Sequence, residues 1–212
     1  MEIVAAREPD VTSAADCLAA AFADDPQMAF FFLGDPSQRQ TLVTEFFSIL
    51  MAARLALGMP VLLLKSEGRI LGAVMGYDTQ RPEWLPAHQE RWALLQQKQA
   101  SMAWRFERAD AISEEYKPRE PHFYLGVLGV HPSMQGKGAG GSLIEAYCDL
   151  AERDPVSAGT FLETAQRKNL AFYERCGFQR LGQGELAPGK PFWCLFRPKP
   201  VRDRNGAISG KV

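Results

Sequence analysis

The residues whose types and spacing speak first to chemistry are Gly136, Gly138, Gly140 and Gly141, set in the run Gln135-Gly136-Lys137-Gly138-Ala139-Gly140-Gly141-Ser142. Glycine lets a backbone approach a ligand closely. The run follows a stretch rich in aromatic and β-branched residues, 123–130. It precedes a helical pattern in which Leu143, Ile144, Tyr147, Leu150 and Ala151 share a face. His131-Pro132 closes the strand, because proline cannot donate to a ladder. Strand, glycine turn and helix start make an anion cradle, since the first amides of a helix have no intrahelical acceptor and can face a phosphate. A nucleotide-like ligand is the chemistry implied.

Spacing separates three phosphate-binding templates. The nucleotide-triphosphatase loop fails: His131 stands where its first glycine belongs, and Gly138 follows Lys137 where Ser or Thr is required. Gly136, Gly138 and Gly141 satisfy the dinucleotide pattern G-x-G-x-x-G, with Glu163 about where a ribose-binding carboxylate stands. That fold begins its first glycine almost directly after the strand, whereas five residues separate Val130 from Gly136, and the remaining chain is too short for six parallel strands. The third template, Gln/Arg-x-x-Gly-x-Gly/Ala, is matched by Gln135, Gly138 and Gly140. Here the chain resembles the pyrophosphate loop of the GNAT acyl-CoA N-acyltransferases.

A second block, GTFLETAQRKNLAFYERCGFQRLG, resembles the closing segment of that superfamily: a strand over 160–164, a helix carrying Asn169 and Tyr173, and a Gly177-Phe178 end. Glycine after a helix permits a left-handed cap, and Phe178 can fold back on the last turn. AAFADDP, KPREPHFYLGVLGV, QGKG, LETAQRKNLAFYERCGF and the late Trp193-Cys194 pair are similar to the puromycin N-acetyltransferase subfamily, in the same block order from about Ile3 to Pro198.

The resemblance implies acetyl-CoA as cosubstrate and no metal. It implies a pyrophosphate held around Gln135, Gly136, Lys137, Gly138, Ala139, Gly140, Gly141 and Ser142, with Gln135 shaping the turn and Lys137 either adding charge or simply solvated. It assigns the Leu128 N–H to the thioester oxygen, Val130 to the pantetheine amides and Asn169 to the cofactor arm, a role compatible with helix capping. It places a β-bulge at Leu128-Gly129-Val130, splaying two parallel strands to admit the pantetheine. Phe172 packs the core or joins the cofactor wall. Tyr173 is the expected general acid for the departing thiolate, against a packing role for its ring. The general base is open. Several relatives carry a carboxylate or histidine four residues before the Leu128 position, where this chain has Tyr124, with Gly126 two before. Glu163 is the best available carboxylate, though fixing the backbone or binding a substrate amine fits it equally; Asp24 and Asp25 are alternatives at the pocket mouth, and water is a further one.

Composition sets bounds consistent with this. At 212 residues, 46% hydrophobic and 23% charged, the chain can bury a core as one domain, 1–198. A net charge of −1 gives no general attraction to nucleic acid or anionic membranes. The first residues lack the basic and apolar segments of an export signal, and the apolar region MAARLALGMPVLLL is broken by Arg54, Gly58 and Pro60, so neither export nor membrane insertion is expected. Cys17, Cys148, Cys176 and Cys194 form no C-x-x-C, and His88, His122 and His131 have no metal-ligand spacing; a reducing, cytoplasmic setting without a metal site is expected. The protein is read as a monomer or homodimer.

The positioning elements follow from periodicity. Strands are predicted at 3–7, 60–65, 69–77, 123–130, 160–164, 179–183 and 192–197. Helices are predicted at 12–23, ended by Asp24-Asp25-Pro26, and from Ser37 or Thr41 with Leu42, Phe46, Ile49, Leu50 and Ala53 on one face. Ser66-Glu67-Gly68 reads as a hairpin turn. Residues 79–118 form a polar, helical insert holding Trp84, Trp92 and Trp104, long enough to cover a site; 199–212 read as a disordered tail. The fold class is mixed α/β, a mostly antiparallel central sheet with one splayed parallel pair and helices on both faces. The acceptor pocket is expected between the first two helices, Tyr77 and the insert, with Asp25, Phe31, Tyr77 and Tyr124 as substrate-binding residues. Phe30 and Phe32 are wall candidates beside them. The function expected is acetylation of a small primary amine, against a non-catalytic acyl-CoA-binding module on the same fold.

Overall fold

Glu67 and Gly68 both adopt positive φ, +51° and +73°, in the two-residue turn joining β2 (Val61–Ser66) to β3 (Arg69–Tyr77). A turn of this kind matches the right-handed twist of its strands. The hairpin seeds a seven-stranded sheet completed by β1 (Glu2–Ala5), β4 (Phe123–Val130), β5 (Gly159–Thr164), β6 (Gln179–Ala187) and β7 (Lys190–Pro198), in the order β1-β2-β3-β4-β5-β7-β6. The computed structural model describes residues 1–200. All neighbouring strands are antiparallel except β4 and β5, so the sheet is the mixed one expected.

The β4–β5 pair decides where a ligand can enter. Parallel pairing covers only Phe123↔Thr160 and Tyr124↔Phe161, after which the strands part. The bulge responsible lies two residues earlier than expected. At 128–130 the ladder to β3 is regular, whereas the register shifts where Met75↔Val127 gives way to Gly76↔Leu125, leaving Gly126 as the extra residue. An extra residue reverses the alternation of faces. Phe123 and Leu125 accordingly pack in one core cluster and Val127 in the opposite one. Gly76 sits across from the bulge because nothing larger fits: a Cβ there would stand 1.7 Å from Tyr124 O and 2.3 Å from the Tyr147 hydroxyl. That hydroxyl, fully buried, donates toward Tyr124 O (2.8 Å) and Tyr77 O (3.1 Å).

Helices α1 (Val11–Ala21) and α3 (Pro36–Ala56) cover one face, and α6 (Ala139–Arg153) covers the other. Between α1 and α3 stands a helix the sequence reading missed, α2 (Pro26–Phe31). Asp25-Pro26 does not simply end a helix; it starts one, with Asp25 Oδ1 accepting from Gln27 N (2.8 Å) and Met28 N (3.1 Å) and proline in the first turn. Asp35-Pro36 repeats the device at the start of α3, which begins earlier than Ser37 or Thr41.

The insert is two helices, α4 (Pro86–Gln97) and α5 (Met102–Tyr116). It is clamped to α2 by the buried Arg105, which donates to Phe31 O at 2.9 Å and Ala100 O at 3.0 Å. Strands β6 and β7 run longer than expected, to a turn at Gly189 with φ +73°. Of the expected tail, Lys199 is bound through its N–H to Ala158 O at 2.8 Å, and 201–212 lie outside the described residues. No helix among the described residues is long and apolar enough to cross a membrane.

Candidate active site

The glycine run builds one wall of a cleft of about 600 Å³ between β4 and α7 (Leu170–Arg175). Gly136 and Gly138 hold φ +75° and +81°, a region that side chains disfavour. Gln135 N–H bonds Pro132 O, Lys137 N–H bonds Met134 O, and the first helical bond runs from Ser142 N to Gly138 O at 3.1 Å. The N–H groups of Gly136, Gly138, Ala139, Gly140 and Gly141 have no acceptor among the described residues. A Cβ on Gly136, Gly138 or Gly141 would meet nothing within 4 Å, so the loop opens onto free space; on Gly140 it would meet Phe172 Cζ at 3.3 Å. Gln135 braces the turn by donating from Nε2 to Val130 O at 3.2 Å. Lys137 and Ser142 stay out of the cleft wall, the lysine turning back to Ser133 O at 2.9 Å.

Backbone polarity along β4 follows from one bond. His131 N–H reaches Leu71 O at 2.9 Å, so in this antiparallel register residues 131, 129 and 127 direct their amides to β3. Leu128 and Val130 turn theirs the other way, into the gap that β5 has left. Both line the cleft, as do Asn169, Phe172 and Tyr173. Asn169 precedes α7 without a side-chain capping bond. Gly177, at φ +85°, ends the helix, and Phe178 N–H returns to Tyr173 O at 3.1 Å. Tyr173 is buried, and loss of solvent, with Asp25 nearby, pushes its pKa far above the ordinary phenol value. It is therefore held as a proton donor at neutral pH. Asp25 also faces this cleft rather than the second cavity, with Oδ1 engaged in capping α2; Asp24 is exposed at its rim.

On the other side of β4 lies a cavity of about 910 Å³. Phe31, Phe46, Trp84, Trp92 and Phe106 form an aromatic wall, closed below by Tyr77 and Tyr124, whose rings stack at 6.4 Å. Trp84 Nε1 donates to the Tyr77 hydroxyl at 2.5 Å, fastening the insert to β3. Trp104 lies outside the cavity, 55% exposed, and Phe30 and Phe32 close the core instead of lining it. Successive side chains on a helix turn by about 100°, so of the three consecutive phenylalanines only Phe31 points into the cavity.

Glu163 belongs to the walls of both cavities. It projects from β5 beyond the point where β4 departs. Burial pushes its pKa up to about 7, while Ser113 Oγ, donating to Oε1, and the Tyr124 phenol favour the ionised form. Such a carboxylate exchanges protons readily near neutral pH. Sequence reasoning missed Ser113, which shares a helical face with Phe106 and Ala109 on α5, a polar step in an apolar stripe. It also missed Arg54, a charge on the apolar face of α3 marked by Phe46 and Leu50; Arg54 and Arg81 both line the second cavity. Two cavities thus meet at one titratable carboxylate, one lined by free amides and the other by aromatic rings.

Comparison with known proteins agrees with this architecture. The sequence profile described as the acetyltransferase (GNAT) family matches residues 23–178. Among solved structures, the chain is similar to a histone acetyltransferase HPA2 and related acetyltransferase from Corynebacterium glutamicum, at 22% identity and TM-score 0.69 over 94% of this chain and 96% of the other. A polyamine N-acetyltransferase from Drosophila melanogaster matches at 17% identity and TM-score 0.59, over 92% and 98%. A ribosomal-protein-alanine N-acetyltransferase from Brucella melitensis matches at 15% identity and TM-score 0.55, over 92% and 98%. At these identities the structural matches speak for the fold, and the profile match over most of the chain decides membership: this protein belongs to the acetyltransferase (GNAT) family.

Proposed function

We propose that the chain transfers an acetyl group from acetyl-CoA to the primary amine of a small molecule by direct attack on the thioester. The observation that carries this reading is the position of Glu163, a carboxylate titrating near neutrality where an aromatic cavity opens into a cleft with free backbone amides. The polyamine and ribosomal-protein-alanine N-acetyltransferases among the structural relatives are named for amine-bearing acceptors, which supports an amine here.

Acetyl-CoA would supply the acetyl group as an activated thioester. The amides of Gly136 to Gly141 would hold its pyrophosphate, strengthened by the start of α6, and Val130 would pair with the pantetheine. Glu163 accepts a proton from the acceptor's ammonium group, directly or through water, so that a neutral amine faces the thioester carbonyl. The Leu128 N–H donates to the carbonyl oxygen as negative charge gathers there, and it needs no reorganisation because β5 has already withdrawn from it. Tyr173 gives its phenolic proton to the departing thiolate, and the proton that the nitrogen sheds as the tetrahedral intermediate collapses to the amide returns, through water, to the phenolate. Holding amine and thioester on opposite sides of β4 supplies the orientation that a bimolecular encounter lacks.

The test is release of free thiol from acetyl-CoA against a panel of primary amines, with product identified by mass. Amine-dependent thiol release is expected. Tight coenzyme A binding with no amine-dependent thiol release would replace the reading by a non-catalytic acyl-CoA-binding module.

A further inference from the structure

Arg54 is 4% exposed and belongs to the wall of the aromatic cavity. Its Nη1 donates to Leu50 O at 3.1 Å, its guanidinium carbon lies 4.8 Å from the centre of the Tyr77 ring, and its Nε is buried without a partner. No carboxylate among the described residues forms an ion pair with it. A cation–π contact offsets part of the cost of burying a guanidinium, yet it leaves Nε and Nη2 without a hydrogen-bond acceptor among the described residues. The second guanidinium of the cavity, Arg81, behaves alike at the exposed mouth: it lies over Tyr124 at 4.9 Å and meets His122 Nε2 at 3.4 Å, also without an ion pair.

Placement makes the unpaired charge specific. Arg54 Nη2 stands 3.1 Å from where a Cβ on Gly126 would sit, against the bulge that separates the cavity from the thioester cleft. Glu163 lines the same cavity and is occupied by Ser113 and Tyr124 instead of Arg54. A buried cation and a buried carboxylate held apart beside the reaction point match a ligand with the opposite pair of charges. We infer that the acceptor is an aromatic aminocarboxylate, whose carboxylate binds Arg54, whose amine is presented at Glu163 and whose ring lies against Phe31, Phe46 and Trp92. This deepens, and rests on, the acyl-transfer reading above. Arg54 is a specificity-determining residue in this arrangement.

The test compares phenylalanine, its methyl ester and phenethylamine with acetyl-CoA, at equal concentrations of neutral amine, using the full chain. Phenylalanine is expected to exceed both neutralised analogues in kcat/KM by about 10- to 100-fold, the range for a hydrogen-bonded charge pair. Arg54→Met should erase that ratio, and Arg54→Lys should keep part of it. Coenzyme A affinity, read by calorimetry, reports whether each variant is folded. Equal rates for the three amines in the wild type, or a ratio unaltered in Arg54→Met, would overturn the inference. Calorimetry of phenylalanine with the coenzyme A-loaded protein separates the two readings. Arg54-dependent binding without turnover would sink acyl transfer and sustain the aminocarboxylate site, whereas turnover of phenethylamine alone would do the reverse.

Discussion

Burial of Glu163 links the pH profile of the proposed reaction to the stability of the fold. Its pKa is raised by desolvation to about 7. The folded state therefore holds a proton that the unfolded chain has already lost, and stability falls as pH rises from the ordinary glutamate range through about 7. The penalty is fully present above that point, on the order of 3 kcal/mol. Glu163→Gln, which can still accept from Ser113, should therefore raise Tm at about pH 8 and leave it unchanged near about pH 4. The same variant should lower kcat by about 10²- to 10⁴-fold and abolish the rise of kcat/KM through about pH 7 that a base with this pKa gives the wild type. A wild-type profile without an inflection there would assign the base elsewhere. Tyr173→Phe removes one hydroxyl and keeps the ring packed on Phe178, 5.9 Å away. Coenzyme A affinity should survive, and single-turnover rates should fall by about 10²- to 10⁴-fold. Unchanged chemistry would leave Tyr173 as a packing residue beside the thiol.

Strand β4 sets the site through one inserted residue. Gly126 shifts the register against β3, sends Val127 to the opposite face from Leu125, and ends pairing with β5 after Tyr124. The bulge is held from outside by Tyr147 of α6 and from across the ladder by Gly76. Gly76→Ala would force a Cβ into Tyr124 O, so the strands must separate or the bulge must move. A loss of about 3 kcal/mol or more is expected in chemical denaturation, the upper range for overpacking a core. Coenzyme A affinity should fall in the same variant, since the Leu128 and Val130 amides depend on that geometry. A variant as stable as the wild type would show that the bulge can relax without this glycine.

At the scale of the molecule, the sheet carries two cavities, one on either side of β4, and the insert lines only one of them. Trp92 packs at 4.7 Å from Phe106 and 5.9 Å from Phe46, and it faces the aromatic cavity without reaching the glycine-loop cleft. Trp92→Ala should raise the acceptor KM by about tenfold or more, consistent with losing a large aromatic contact, while coenzyme A affinity changes little. Equal losses for both ligands, with a lowered Tm, would identify Trp92 as core support. The clamp from Arg105 to Phe31 O joins insert to α2, so acceptor specificity is expected to respond to both elements together.

The sequence alone determined what depends on local chemistry. Glycines at 136 and 138, a prolyl stop at Pro132 and the apolar stripe from Leu143 to Ala151 encode strand, loop and helix within one short stretch, because turn conformation and periodicity are local properties. The same is true of Gly177-Phe178 after the last helix. Asp25-Pro26 was half legible: the pair reads equally as the stop of one helix or the start of the next, and with α1 already over at Ala21 the packing of Met28, Phe30 and Phe31 into the core selects the second meaning. The bulge lay beyond local reading, because Gly126 and Gly129 look alike in a strand. Their difference is what a side chain would meet, Arg54 and Tyr124 at one and Leu18 and Phe22 at the other. Tertiary structure likewise brought Glu163, Ser113 and Arg54 to one cavity from β5, α5 and α3. No spacing in a linear chain encodes that meeting, since it arises where the sheet splays and three elements distant in sequence close over the gap.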